Sequence, residues 1–232
     1  MSNALKSKDI GLIRTVSGLI SNTDSDFTTI FNDTLAIQEA LNNLQFPRDN
    51  RTYNALANAL DSLGAFNPVT SPKDPGYSHP LVLSRLSALT DSSTAIIQTN
   101  KGNIIIELFR TEAPGSVQNF VELATSNFYD DKIFHRVVPN FVVQTGSHRG
   151  DGLGLSDYTI RSEFSQLSYD EGGYVGMASA GKDTESAQFF ITHTATLHLD
   201  GKYTIFGKVI EGMDIVNAID IGDQIIDVNI LF

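Results

Sequence analysis

The chain has 232 residues, 41% of them hydrophobic, with no cysteine and a formal net charge of −11. That charge argues against nucleic acid as a partner, because phosphate binding depends on clustered Lys and Arg and no basic stripe is present; the lack of thiols excludes a disulfide framework and any thiolate metal site. No stretch approaches the roughly 20 apolar residues of a membrane span, so the chain reads as soluble, with apolar content sufficient for a real core.

The character of the sequence changes near residue 90, which divides it into a helical region (1–66), a connection (67–93) and a strand-rich region (94–232). The opening Met1-Ser2-Asn3-Ala4 looks like a cloning remnant. No signal-peptide pattern follows it, a targeting segment removed beforehand would leave no trace, and the compartment is unknown. Ile10, Ile13, Val16 and Ile20, with Leu12 and Leu19 beside them, have the spacing of one helix face, and Asp9 stands near its N-terminus. A second helix is predicted from Phe27 to Leu44, carried by Phe31, Leu35, Leu41 and Leu44 and ended by Pro47. Tyr53, Leu56, Leu60 and Leu63 make a third, closed by Gly64. The segment ALKSKDIGLIRTVSGLIS looks similar to one helix of a HEAT-type repeat, which would make this region the end of a longer helical array; a small bundle is the other reading. The connection is rich in proline (Pro68, Pro72, Pro75), and Pro80 to Leu89 reads as a short helix or turn.

Beyond it, Lys101-Gly102 reads as a hairpin turn before the strand IIIELF. In Ile133 to Gly146, Phe134, Val138, Phe141 and Val143 alternate with polar neighbours and Pro139 interrupts, which predicts two short strands with Arg136 on the first. His135, adjacent on that strand, must face the other way. The loop opening at Gly150 (GDGLGLSD) lacks the carboxylate spacing of a calcium loop, and His135, His148, His193 and His198 lack metal-ligand spacing. Gly176 to Thr192 reads strand, small-residue loop, strand, with Gln188 and Phe190 on one face; Leu197 to Gly207 sets a turn before another strand.

Three motifs stand in order: Phe134-His135-Arg136 with Pro139, Phe141 and Gln144; Met177-Ala178 with Ala180-Gly181 and Gln188-Phe189-Phe190-Ile191; and Leu199-Asp200-Gly201-Lys202 with Phe206-Gly207. Together they resemble the cyclophilin family of peptidyl-prolyl cis-trans isomerases over about residues 94–232. The resemblance implies a mainly β fold, a closed antiparallel eight-stranded barrel capped by helices near Pro114 to Ser126 and Met213 to Ile219. It also implies activity on X-Pro bonds of proline-containing peptides and of unfolded or partly folded proteins, with no cofactor and no metal.

An X-Pro amide crosses a barrier of roughly 18–20 kcal/mol because rotation breaks resonance, yet no bond is made or broken. A catalyst therefore needs neither nucleophile nor metal. It must favour the twisted amide, whose proline nitrogen gains a lone pair, and a guanidinium with several fixed donors suits that task. The resemblance assigns this role to Arg136, with Gln144 orienting it. It places the proline ring among Phe141, Val142, Phe190 and Leu199, with Gln188, His198 and Tyr203 lining the site and Ala178 and Ser179 along the peptide groove. Taken singly, Arg136 reads as a structural arginine and the apolar residues as core; only their joint pattern makes a site.

The sequence departs from the better-known cyclophilins at His198 (tryptophan there), Tyr203 (histidine), Val142 (methionine) and Ser179 (asparagine). The first change predicts activity with poor inhibition by cyclosporin. Two other readings stand beside the enzyme: a scaffold module that binds proline peptides with little catalysis, and a helical region that recruits a protein partner.

Overall fold

Helix caps, as much as apolar spacing, shape the N-terminal part of the chain. The computed structural model describes residues 1–22, 26–46, 49–65, 79–87, 89–90, 92–153 and 158–232. The chain divides into two compact units, 1–76 and 77–232. In the first are α1 (Ser2–Leu5), α2 (Ile10–Ser21), α3 (Phe27–Ile30), α4 (Thr34–Asn42) and α5 (Asn50–Ser62). The Asp9 carboxylate accepts the backbone N–H groups of Gly11 and Leu12, satisfying two donors that the first turn of α2 would leave orphaned. Ile13, Val16 and Ile20 are buried, whereas Leu12 and Leu19 are exposed.

The continuous helix expected from Phe27 to Leu44 is two helices. The backbone is extended at Phe31, and α4 restarts under Asp33, whose side chain accepts the Ala36 N–H at 3.1 Å. This new start rotates the apolar face: Ala36, Ile37, Ala40 and Leu41 are buried, while Leu35 is 69% exposed. α5 buries Tyr53, Leu56, Ala59 and Leu60. It closes on Gly64 at φ +65, with the Gly64 N–H bonding Asp61 O and the Ala65 N–H bonding Leu60 O, a pairing that satisfies the last carbonyls. Pro47 and residues 67–78 of the predicted connection lie outside the described residues.

The second unit opens with α6 (Leu83–Leu86), and Leu86 and Leu89 enter its main core. Eight antiparallel strands follow: β1 (Thr94–Thr99), β2 (Gly102–Leu108), β3 (Arg136–Val138), β4 (Val142–Thr145), β5 (Tyr174–Met177), β6 (Phe189–Thr192), β7 (Ile205–Glu211) and β8 (Ile225–Leu231). Their order in the sheet is β3-β4-β6-β5-β7-β2-β1-β8. Helices α7 (Pro114–Thr125) and α8 (Met213–Ala218) pack on it. Among the described residues no helix is long and apolar enough to cross a membrane.

The sheet is an open half-barrel and not the closed barrel expected. Its edges are β3 and β8, and among the described residues no ladder joins them. The reason is length: β3 has three residues and turns away at Pro139–Asn140, where Asn140 takes φ +59. The seam is crossed instead by residues that precede each edge strand or begin it. Phe134 N–H donates to Asp223 O at 2.8 Å, Gly222 N–H to Phe134 O at 3.0 Å, and Ile225 N–H to Lys132 O at 2.9 Å.

One face of the sheet holds the core. Ile97, Ile104, Ile106, Val143, Val175, Phe189, Ile191 and Phe206 pack with Val117 and Phe120 of α7 and Val216 of α8. Full burial of such side chains stabilises the fold by about 1.5–3 kcal/mol each. Every residue of β4, β5 and β6 is buried, so the opposite face of these three strands is covered as well.

Candidate active site

That second face carries the candidate site. Strand pairing sets Arg136 opposite Gln144, Gln144 opposite Phe190, and Phe190 opposite Gly176, one row across β3, β4, β6 and β5. Side chains alternate along a strand, so this row and the residues two removed from it, Val142, Ala178 and Gln188, share the face turned away from the core.

The polar groups form a chain with one direction. Gln188 Nε2 donates to Gly152 O at 3.3 Å, which leaves Gln188 Oε1 to accept Gln144 Nε2 at 3.0 Å. Gln144 Oε1 is thereby turned toward Arg136, whose Nη1 donates to it at 3.5 Å. Both glutamines are buried and Arg136 is exposed. The Arg136 guanidinium carbon also lies 5.6 Å from the Phe141 ring centroid, within reach of the ring's negative face.

Beside this chain is an apolar cluster of Val142, Tyr169, Tyr174, Ala178, Phe190, Leu199 and Ile205, with Phe141 and Tyr203 packed against it partly exposed. Tyr203 meets Phe190 edge-on at 5.7 Å, and the exposed His198 stacks on Phe141 at 5.3 Å. Leu199 ends a single 3-10 turn, Leu197–Leu199, held by Asp200, which accepts Ser168 Oγ and the Tyr169 N–H. The Ala178 N–H donates to Gln188 O at 2.9 Å, and the half-buried Ser179 adjoins the group through the backbone. The loop from Gly150 reaches the site through the Gly152 carbonyl; its residues 154–157 lie outside the described residues. His135 turns away from Arg136, as expected, toward Gly152: a Cβ built there would lie 3.0 Å from its ring.

Sequence reasoning missed Tyr169. Its fully buried ring stacks under Phe190 at 5.9 Å, its Oη donates toward the carbonyls of Tyr203 and Thr204, and burial pushes its phenol pKa well up. The available signal was Gly176: a Cβ there would lie 2.2 Å from Tyr169 Oη and 2.4 Å from Phe190 Cζ, and a glycine inside a strand marks such a close approach.

The profile of the family described as "Cyclophilin type peptidyl-prolyl cis-trans isomerase/CLD" matches residues 94–230. The chain belongs to this family. Cyclophilin relatives include a peptidyl-prolyl cis-trans isomerase of Helicobacter pylori, 42% identical over 140 residues, which are 59% of this chain and 86% of that protein. Peptidyl-prolyl cis-trans isomerase B of Bacillus subtilis is 44% identical over 131 residues, 56% of this chain and 92% of that one. The alignment spans only 25% of the peptidyl-prolyl cis-trans isomerase-like 2 protein of Rhizopus delemar, at 42% identity over 132 residues. Among solved structures, a Cryptosporidium parvum cyclophilin superposes with TM-score 0.57 at 31% identity, covering 60% of this chain and 98% of that one. The same protein in the presence of the dipeptide Ala-Pro gives TM-score 0.56 at 32% identity. The cyclophilin unit is thus a peptidyl-prolyl cis-trans isomerase by class, and all the site residues described above lie within the matched range.

Proposed function

We propose that Arg136 is the catalytic group of this isomerase, acting on an X-Pro bond whose proline ring occupies the apolar cluster of Phe141, Val142, Phe190 and Leu199. The observation that carries this reading is the directed amide chain from Gly152 through Gln188 and Gln144, which orients a guanidinium at the margin of an apolar cluster. In the planar amide the proline nitrogen has no lone pair to offer. On twisting it gains one, and an N–H of Arg136 donates to it, so the contact is stronger in the transition state than in the ground state. The apolar cluster excludes water and fixes the ring, leaving the preceding carbonyl free to rotate. Ala178, Ser179, Gln188, His198 and Tyr203 line the groove in which the peptide lies extended. Tight binding by cyclosporin is not expected, since His198 stands where a tryptophan would contact it. The deciding experiment follows the isomerisation of a short X-Pro peptide by NMR exchange with the wild type and a folded Arg136→Ala variant. Equal weak rates with retained peptide binding in both would leave a proline-binding scaffold in place of the enzyme.

We also infer a division into a helical region (1–66), a connection (67–93) whose last part, from residue 79, already packs on the isomerase unit, and the isomerase region (94–232), with the helices serving as a docking module for a protein, of the helical-repeat kind. The helical unit has a core of its own from Leu5 to Leu60, and Leu12, Leu19, Ile30 and Leu35 remain exposed. A pull-down with residues 1–76 against the chain's own clients, compared with a Leu12→Ser/Leu35→Ser variant, tests this reading.

A further inference from the structure

A connected set of contacts leads from residue 79, outside the range matched to the family, to the two glutamines of the site. The His79 ring stacks on Tyr158 at 4.2 Å and 19°, and its Nε2 lies 2.9 Å from Glu122 Oε2 on α7. Gln118 Nε2 donates to the other Glu122 oxygen at 2.8 Å, and Gln118 Oε1 accepts the Val82 N–H at 2.8 Å. Residues 79–82 are thus fastened to α7. Tyr158 Oη donates to Asn119 Oδ1 at 2.6 Å, and Asn119 Nδ2 donates to Ser186 O at 2.6 Å. The next carbonyl, of Ala187, accepts Tyr129 Oη at 3.0 Å, and the next residue is Gln188.

We propose that Asn119 is a positioning residue for the isomerisation, oriented by Tyr158 and His79, so that a segment outside the matched range tunes the site. The proposal rests on the reading of Arg136, Gln144 and Gln188 given above. A carboxamide is directional: turned over, Asn119 would set its Oδ1 against the Ser186 carbonyl, acceptor against acceptor. The Tyr158 hydroxyl prevents this by occupying Oδ1, and the His79 ring holds Tyr158 in place. The Asn119 side chain is completely buried, so water cannot substitute for a lost partner. Displacement of Ser186 and Ala187 carries Gln188 with it, and the final contact of the chain is poised to register the change. The Arg136–Gln144 distance of 3.5 Å is already at the limit of a hydrogen bond, so a shift of a few tenths of an ångström releases the guanidinium.

The test uses the full chain as wild type, Tyr158→Phe, His79→Ala, Asn119→Ala and Arg136→Ala, with Ser116→Ala as a buried-hydroxyl control on α7. For each, kcat and KM on an X-Pro peptide are measured by NMR exchange, and the side-chain amide resonances of Gln144 and Gln188 are recorded. In Tyr158→Phe and Asn119→Ala, kcat is expected to fall by about tenfold with KM little changed, as for a small misplacement of a reacting group. His79→Ala falls in the same direction by less, Ser116→Ala stays at the wild-type value, and both glutamine resonances move in Tyr158→Phe, His79→Ala and Asn119→Ala but stay in place in Ser116→Ala. Unmoved resonances and unchanged kcat in a folded Tyr158→Phe, while Arg136→Ala loses activity, would overturn the positioning role and leave the site reading intact. Unchanged activity in Arg136→Ala would overturn the site reading itself, and the role of Asn119 in the reaction with it. Tyr158→Phe removes a single oxygen atom and keeps the stacked ring, so it decides the matter even where Asn119→Ala does not fold.

Discussion

Replacing Arg136 with alanine should separate catalysis from stability almost completely. The side chain is exposed on a three-residue edge strand, and its contacts are the 3.5 Å bond to Gln144 and the face of Phe141. A surface change of this kind shifts stability by within about 0.5 kcal/mol. In the transition state, by contrast, the loss is a charge-assisted hydrogen bond, about 1.5–3 kcal/mol, and each 1.36 kcal/mol is a factor of ten. The expected fall in kcat/KM is therefore between about tenfold and about a hundredfold, with the thermal midpoint unchanged. Arg136→Lys keeps a charge but not the planar fork of donors, so it should recover only part of the rate. The assay is exchange between cis and trans resonances of a proline peptide, measured beside thermal melts. A folded Arg136→Ala with the wild-type rate would refute the argument, as would an arginine-to-lysine change that restores full activity.

Gly176→Ala should strain the site from beneath, since the new methyl meets Tyr169 and Phe190; overpacking of this sort costs about 1–3 kcal/mol, read by denaturant unfolding, and should lower kcat/KM together with stability. Burial raises the Glu185 carboxyl from its ordinary 4.5 to about 8, against the lowering effect of hydrogen bonds from Thr204 and Ser162. The folded state therefore holds this proton more tightly than the unfolded state, and the stabilisation present below pH 4.5 is lost as pH rises through about 8. Glu185→Gln should accordingly gain on the wild type with rising pH in thermal melts; a constant gap from acid to pH 9 would contradict the assignment, since about one unit above the folded pKa the group is ionised. Glu163→Ala removes a carboxylate that accepts the Gly115 and Ser116 N–H groups and Ser116 Oγ at 2.8 Å each, capping α7 where Ala113 cannot. A loss of about 1–2 kcal/mol is expected, and an unchanged thermal midpoint would show the cap to be idle. His198→Trp should strengthen cyclosporin inhibition while leaving peptide isomerisation nearly as it is, measured by titrating inhibitor against rate.

The parts of the fold that were legible in the sequence are those governed by short-range periodicity. The two-residue spacing of Gln188 and Phe190 put these side chains on one face because a strand leaves them no other choice, whereas the alternation read through Phe141 and Val143 did not hold, Val143 entering the core and Phe141 packing at the site. Asp9 and Gly64 announced helix ends through local hydrogen-bonding chemistry. The helix from Phe27 to Leu44 was misread because apolar spacing outweighed Asn32-Asp33, a cap that restarts the helix and turns Leu35 outward. Barrel closure could not be read because it depends on how far β3 extends against a strand nearly ninety residues later, a tertiary outcome with no local signature. At the site, motif residues were visible as a group, whereas Tyr169 and Asn119 act through packing and single hydrogen bonds that join distant parts of the chain.

The short edge strand that leaves the sheet open also carries Arg136. Residues inside the sheet are clasped from two sides, but the ladder of β3 runs to β4 alone, and the bonds that cross the seam attach before Arg136 is reached. Lifting this rung therefore breaks few bonds and exposes little core, so its opening free energy lies far below that of global unfolding. On the proposed role of Arg136, the cation would then stand on the part of the sheet that yields first, and a bound chain could be let go while the scaffold behind it stays whole.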